Sequence, residues 1–318
     1  MTKYLVSGGA GFIGSHITEA LVKRGDRVRV LDDLSTGLEE NLALVRDKIE
    51  FQRGDLRNPE DVAKATIGID CIFHEGALRS VPRSVEDPSS TNTVNVTGTL
   101  QLLLAARAAK VKRVVYASSS SVYGDIKKYP QTESMRGSPL SPYAVAKYAG
   151  ELYCTMFAKT LGLETVSLRY FNVFGPRQHP DSPYAAVIPK LMKWAAEGTP
   201  LEIHWDGRQS RDFTYIENVV DANLLAAAVP GISGEVFNIA CGKTNSLLQI
   251  IRELETFIGH PLKRHHSPQR PGDVRKTWAD IHHARRKLRY VPRVDLHEGL
   301  RRTWQWFTAQ QTKATVPL

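Results

Sequence analysis

Seven residues, Gly8-Gly9-Ala10-Gly11-Phe12-Ile13-Gly14, constrain this chain more than any other stretch. They join a short apolar run, Tyr4-Leu5-Val6, to a segment with Ile13, Ile17, Ala20 and Leu21 at helical spacing. A strand, a glycine turn and a helix in that order let backbone amides approach a pyrophosphate, which the positive end of the helix favours. Gly25 closes the helix, and Arg27-Val28-Arg29-Val30-Leu31-Asp32 reads as a second strand. Asp32 ends that strand, where a carboxylate can accept hydrogen bonds from an adenosine ribose diol and would repel the 2′-phosphate of NADP. NAD is therefore the expected dinucleotide. Asp55, in Gly54-Asp55-Leu56, either meets the adenine amine or serves a simple turn.

Strand and helix patterns go on alternating. Strands are expected at 49–53, 71–74, 114–117 and 165–171, and helices at 59–66, 94–109 and 143–161. The fold class is α/β, with a Rossmann-type doubly wound parallel sheet. After residue 171 proline and charge increase and the pattern loosens. Residues 1–171 are expected to form the dinucleotide-binding domain. Residues 172–318 are expected to form a smaller mixed α/β substrate domain, with some segments crossing between the two.

Composition narrows the function classes. The 318 residues are 42% hydrophobic and 24% charged, the balance of a globular protein. No apolar run approaches the roughly 20 residues of a membrane helix, so no membrane partner is expected. Lys3-Tyr4-Leu5-Val6-Ser7 runs straight into the glycine turn, so no signal peptide is expected. Cys71, Cys154 and Cys241 are odd in number and form no C-x-x-C pair, which points to a reducing cytoplasm without disulfides or a cysteine metal site. His265-His266 and His282-His283 lack carboxylates at ligand spacing, so no metal is expected. The net charge is +9, and the stretch from Lys263 to Arg302 holds twelve basic against four acidic residues. No zinc-finger, basic-zipper or RNA-recognition pattern accompanies it, so nucleic acid is not the expected partner. The stretch is either a solvated face or, at a few arginines, a site for phosphates.

A second constellation carries chemistry. Tyr143 and Lys147 share a helix face, and Ser119 follows the strand that ends at Ala117. Hydride transfer at a carbinol carbon needs a base for the hydroxyl proton. Free tyrosine has a pKa of about 10, so a working base near neutrality requires a drop of roughly three units, or ~4 kcal/mol. A neighbouring ammonium and a cationic nicotinamide supply that by favouring phenolate. A serine hydroxyl then holds the reacting oxygen.

Gly8-x-x-Gly11-x-x-Gly14, Ser119 and Tyr143-x-x-x-Lys147 resemble the extended short-chain dehydrogenase/reductases, specifically the nucleotide-sugar epimerases, over essentially the whole chain. Arg169-Tyr170-Phe171-Asn172-Val173-Phe174-Gly175, Ser210-Arg211-Asp212-Phe213 and Arg270-Pro271-Gly272-Asp273-Val274-Arg275 resemble UDP-sugar 4-epimerase motifs. The resemblance implies NAD held throughout turnover, a sugar oxidised at C4 to a ketone, and hydride returned to its other face. It gives Tyr143 the role of base and then acid, Lys147 the nicotinamide ribose, and Ser119 the sugar O4. It places Tyr170 near the nicotinamide, Asn95 near Ser119 and the cofactor, and Asn172 on the substrate. The cofactor set it implies also includes Gly8, Gly11, Phe12, Ile13, Asp32, Asp33, Ser35, Thr36, Gly37, Asp55, Leu56, Gly76, Ala77 and Leu78. It implies a homodimer through the helix carrying Tyr143 and the neighbouring helix from Val94.

The same resemblance bears on the substrate. Similar dehydratases and decarboxylases carry an acidic residue before Val-Tyr-Gly, whereas this chain reads Ser119-Ser120-Ser121-Val122-Tyr123-Gly124, which argues for simple epimerisation. Arg211 and Arg270 either neutralise a UDP diphosphate or form surface ion pairs. Asp273 either reaches the uridine ribose or caps a turn; Ala186 and Val187 either meet uracil or start a helix. Thr277 stands where epimerases restricted to glucose and galactose carry tyrosine, so the pocket should admit an N-acetyl group, which Ser120 could hydrogen-bond. Ser80-Val81-Pro82-Arg83-Ser84 belongs to the stretches most similar to UDP-N-acetylglucosamine 4-epimerases of bacterial O-antigen synthesis. Arg79 departs from that subgroup and contacts either a cofactor phosphate or a substrate carboxylate. The expected activity is UDP-GlcNAc/UDP-GalNAc interconversion, extending to UDP-Glc and UDP-Gal. The alternatives are a UDP-uronic acid 4-epimerase or other NAD-dependent sugar-nucleotide oxidoreductase, and a glucose/galactose-specific epimerase.

Overall fold

The computed structural model describes residues 1–180, 186–269 and 274–315, with side chains to residue 311. Six strands follow the expected runs: β1 (Lys3–Ser7), β2 (Arg27–Asp32), β3 (Ile49–Arg53), β4 (Cys71–His74), β5 (Arg113–Ser119) and β6 (Glu164–Tyr170). A seventh, Glu235–Ile239, pairs with β6 and completes an all-parallel sheet. Across the sheet, Glu235–Ile239 is followed by β6, β5, β4, β1, β2 and β3. The order reverses between β1 and β4, and a crevice opens there beyond the strand ends.

Period-two alternation sends side chains to both faces. On one face Val6, Phe73, Val115 and Leu168 pack with Ile17 and Leu21 of α1 (Phe12–Lys23). On the other, Leu5, Ile72 and Val114 pack with Val62 of α2 (Pro59–Thr66) and with the helices that follow. Those helices begin with two short ones, α3 (Val81–Glu86) and α4 (Pro88–Asn92). A π turn, Thr93–Thr97, leads from α4 into α5 (Gly98–Ala108). The single helix expected over 94–109 is therefore interrupted; the wider turn adds a residue that 3.6-residue periodicity does not register.

The longest helix of this half, α6 (Pro142–Thr160), starts at Ser141, whose side chain accepts from the Ala144 N–H at 3.2 Å, with Pro142 in the first turn. It carries Tyr143, Lys147 and Glu151 four residues apart, so all three turn toward the sheet. Glu151 is buried and binds Arg169 of β6 through both oxygens, at 2.8 and 2.7 Å, and accepts from the Ser118 hydroxyl. This pair fixes α6 against the ends of β5 and β6. The later residues add helices at Val187–Glu197, Ile216–Ala228, Leu247–Ile258, His282–Leu288 and Leu296–Thr315, and a parallel pair, Leu201–His204 with Arg264–Ser267.

Removing one partner of a buried ion pair strands the other without water. Glu151→Ala should lose about 3–5 kcal/mol of stability, read as a lower urea midpoint at unchanged slope. A loss below about 1 kcal/mol would show that α6 is held by packing alone.

Candidate active site

The crevice between β1 and β4 is a cleft lined by the glycine turn, by the ends of β2, β3, β4 and β5, and by α6. Gly8 has φ +69°, and a Cβ there would lie 2.6 Å from the Gly76 Cα, so two loops meet backbone to backbone at its mouth. A Cβ at Gly14 would collide with the Gly8 carbonyl, so the helix starts directly under the turn. Gly11 is the N-cap of α1 and supplies no capping side chain, which leaves the first-turn N–H groups directed at the cleft. A pyrophosphate fits this cradle. Gly8, Gly11, Phe12, Ile13, Gly14, Asp32, Asp33, Ser35, Thr36, Gly37, Asp55, Leu56, Gly76, Ala77 and Leu78 all line the cleft.

Asp32 accepts from the Ala10 and Leu34 N–H groups, both at 2.9 Å, and burial pushes its carboxyl up. Its oxygens thus also brace the glycine turn. Asp55 is gripped by Arg57 at both oxygens, and that ion pair holds its carboxyl down. Asn95 is fully buried: its amide accepts from the Leu78 N–H at 2.8 Å and donates to the Leu78 carbonyl at 2.9 Å. It shapes the loop 76–79 from beneath, and the π turn is what brings it there.

At the other end of the cleft stand Tyr143, Lys147, Tyr170, Glu75 and Arg79. The register of β5 on β6 puts Ser119 beside Tyr170. The Ser119 oxygen accepts from the Ser121 N–H at 3.2 Å and the Ser121 hydroxyl at 3.0 Å, and Ser119 is hydrogen-bonded to the Tyr143 hydroxyl. Burial pushes the Tyr143 phenol up, the Ser119 bond and the Arg79 guanidinium pull it down, and Glu75 pushes it up. Lys147 is buried, donates from Nζ to the Ala117 carbonyl at 2.8 Å and lies over the Tyr116 ring. Burial drives its ammonium below the usual lysine range, against the field of Glu75. Sequence reasoning missed Glu75; its position directly after β4 at the strand-order reversal was the available signal.

Of the residues expected on the sugar nucleotide, Arg79 and Tyr143 line the cleft, whereas Ser80, Ser119, Ser120, Asn172, Ala186, Val187, Arg211 and Thr277 are not among its lining residues. Asn172, at φ +35°, donates from Nδ2 to the Asp212 carbonyl at 3.0 Å and to the Thr277 hydroxyl at 3.1 Å. Asp212, its carboxyl pushed up to about 7 by burial, accepts from the Cys241 N–H and holds this floor together. Ser80 caps α3 through the Arg83 N–H. Ser120 opens a short 3₁₀ turn to Tyr123. Ala186 is the N-cap and Val187 the first residue of the helix Val187–Glu197, and Arg211 donates to the Ser210 carbonyl. Arg270 and Asp273 lie outside the described residues. Among the described residues no three His, Cys, Asp or Glu side chains converge on a metal position, and no helix is long and apolar enough to cross a membrane.

The model of the NAD dependent epimerase/dehydratase family matches residues 4–240. The chain belongs to that family. The enzyme is an extended short-chain dehydrogenase/reductase, an NAD-dependent nucleotide-sugar 4-epimerase. It is 39% identical over 307 residues to a UDP-glucose 4-epimerase of Mycolicibacterium smegmatis, covering 95% of this chain and 97% of the relative. It superposes with TM-score 0.93 and 38% identity on a UDP-N-acetylglucosamine 4-epimerase from Methanobrevibacter ruminantium in complex with UDP-N-acetylmuramic acid, covering 97% and 99% of the two chains. It also superposes with TM-score 0.90 and 35% identity on a UDP-glucuronic acid 4-epimerase from Bacillus cereus in complex with UDP-4-deoxy-4-fluoro-glucuronic acid and NAD, covering 97% and 100%. The epimerase therefore has relatives for three kinds of sugar.

Tyr143→Phe tests the expected role of Tyr143 as the base, since it removes only the hydroxyl beside Ser119. It should lower kcat at least about 10²-fold while the purified protein still releases NAD on denaturation. Turnover above a few per cent of the parent would remove Tyr143 as the base.

Proposed function

We propose that this enzyme interconverts UDP-GlcNAc and UDP-GalNAc, and also UDP-Glc and UDP-Gal, through a 4-keto sugar. The observation that carries this reading is Thr277: a small side chain bonded to the Asn172 amide, at the position where the resemblance puts a tyrosine in epimerases restricted to glucose and galactose. Ser119-Ser120-Ser121 at the end of β5 offers hydroxyls and no carboxylate, which favours epimerisation over elimination of water.

In this reading Tyr143 accepts the C4 hydroxyl proton and later returns it. Ser119 holds that oxygen in line with the phenol. Bound NAD supplies the acceptor and donor of the C4 hydride. Lys147 binds the nicotinamide ribose and, as a nearby cation, favours the phenolate. The glycine turn takes the pyrophosphate, Asp32 and Asp33 the adenosine ribose, and Tyr170 the nicotinamide side. Asn172 and Arg211, with Arg270 and Asp273, take the UDP-sugar.

A second reading, UDP-uronic acid epimerisation, is favoured by Arg79. Arg79 lines the cleft on the Tyr143 side, where burial pushes its guanidinium down and the Tyr143 hydroxyl counters it, with no hydrogen bond or ion pair to another described residue. A substrate carboxylate would suit it.

Two copies are proposed to pair through α5 and α6. Leu104, Val145, Leu152 and Met156 are 51%, 52%, 57% and 38% exposed, and the last three share one face of α6. Sedimentation should give twice the 35.5 kDa chain mass, and Leu152→Glu should move it toward the monomer; a monomeric parent at micromolar concentration would remove this pairing.

The purified protein should interconvert UDP-GlcNAc and UDP-GalNAc without added cofactor. Equal or greater kcat/KM on UDP-glucuronate would install the second reading. Thr277→Tyr should lower kcat/KM for the acetylated pair by about 10–200-fold and spare UDP-Glc and UDP-Gal. Full activity of that variant on UDP-GlcNAc would refute the pocket-size argument.

A further inference from the structure

Glu75 is not required by any step above, and its surroundings are specific. It follows β4 at the strand-order reversal and lines the cleft beside Tyr143, Lys147 and Tyr170. The Tyr170 hydroxyl lies 2.8 Å from Glu75 Oε1. Asn223 fixes that hydroxyl from the other side, donating from Nδ2 at 2.8 Å, with its own Oδ1 3.0 Å away. The Asn223 amide is in turn anchored on the Val219 carbonyl at 2.8 Å. A residue from α6's neighbouring strand and one from the helix Ile216–Ala228 therefore aim this carboxyl into the cleft.

The charges facing Glu75 come from each neighbouring element. Lys147 and Tyr143 stand on α6, Tyr170 on β6 and Arg79 on the loop after β4. His74, one residue before, is buried and held neutral: burial pushes its imidazole down to about 3. Behind Lys147 are Glu151 and Cys154; Glu151 is already taken by Arg169. Among the described cleft-lining residues, Asp32, Asp33 and Asp55 sit on β2 and after β3, at the adenosine end. Glu75 is the carboxylate at the Tyr143 end.

Burial pushes the Glu75 carboxyl up to about 7 while the Tyr170 hydroxyl and the Lys147 ammonium pull it down, so it carries its charge above that pH, where opposite charge must face it. Two protein cations share this end with it, and an oxidised nicotinamide adds a third positive charge. We propose that Glu75 is the counter-anion of the hydride site, a positioning residue that is held by the Tyr170 hydroxyl and balances Lys147, Arg79 and the cationic nicotinamide around Tyr143. It acts through those groups and touches no reacting bond. Its field favours the Lys147 ammonium and disfavours the Tyr143 phenolate, so both groups lose their protons at higher pH with it than without it. It also favours the oxidised over the reduced cofactor. The function holds for whichever UDP-sugar the enzyme takes, and rests only on Tyr143 as the base.

The test uses holoenzyme of Glu75→Gln, with Glu75→Leu as a second uncharged variant should Gln fail to fold, and Glu75→Asp as the conservative one. Both limbs of the pH profile of kcat/KM should move to lower pH by about one unit in the uncharged variants and return toward the parent in Glu75→Asp. At pH 8 with saturating UDP-sugar, the share of bound cofactor absorbing at 340 nm should rise at least about threefold. A uniform loss of activity with unmoved limbs and unchanged 340 nm absorbance would make Glu75 merely structural and overturn the proposal. An active Tyr143→Phe would instead overturn the base assignment, so the two failures are distinguishable.

Discussion

Gly8 and Gly76 meet where two strand ends part, and the rest of the site is organised around that contact. Any side chain at Gly8 would push the loop after β1 off the loop after β4 and close the crevice with protein atoms. Because the two backbones touch, the helix α1 begins under the turn, the β4 loop lies flat along the cleft, and Glu75 and Arg79 are delivered to the Tyr143 end. The glycines thus do more than shape the turn: they set the spacing between the α1 end of the cleft and Tyr143 and Lys147.

Buried polar chains keep this spacing fixed. Ser7 hydrogen-bonds His74 Nδ1 at 2.7 Å, His74 Nε2 meets the Thr99 hydroxyl at 2.9 Å, and Thr99 donates to the Asn95 carbonyl at 2.7 Å. Thr99 has its proton on Asn95, so Nε2 carries the imidazole proton and Nδ1 accepts from Ser7. Burial keeps that ring neutral. A second chain links Ser118, Glu151 and Arg169, whose guanidinium lies 4.7 Å from the Tyr123 ring centroid, while Tyr123 donates to Asn238 at 2.7 Å. Both chains are buried, and although Arg169 Nη1 is left without a hydrogen-bond partner, its other two guanidinium nitrogens are held by Glu151, so the chains resist the rotamer changes that would loosen Ser119 or Lys147. The groups proposed as catalytic are set on a strand end and a long helix.

Much of the first half was legible because local pattern and tertiary role coincide there. The runs Tyr4-Leu5-Val6 and Cys71-Ile72-Phe73-His74 are strands buried on both faces, which read as continuous apolar runs. Glu235–Ile239 was not read as a strand, because Asn238 interrupts its apolar run. Its Nδ2 is satisfied by the Gln131 and Asp280 carbonyls, from segments far away in sequence. The turn at Thr93–Thr97 was invisible for a related reason: a π turn leaves the spacing of Leu100, Leu103 and Ala106 unchanged and only re-aims Asn95. Tyr143 and Lys147 were legible from a local spacing, whereas the importance of Glu75 depends on Tyr170, 95 residues on. Thr277 stands out in the sequence, but its bond to Asn172 follows only from the backbone hydrogen bonds of its segment to Ser210 and Asp212.

The seventh strand also limits modularity. Glu235–Ile239 covers the β6 edge residue for residue, from Val166 to Tyr170. A fragment ending near residue 171 would keep every glycine and every proton-handling side chain of the cleft, yet present that rim of amide and carbonyl groups uncovered, an invitation to sticky strand-to-strand association. The front half of this enzyme is consequently no freestanding cassette that gene fusion could transplant. Whatever partner sequence replaced the back half would first have to restore one short parallel strand.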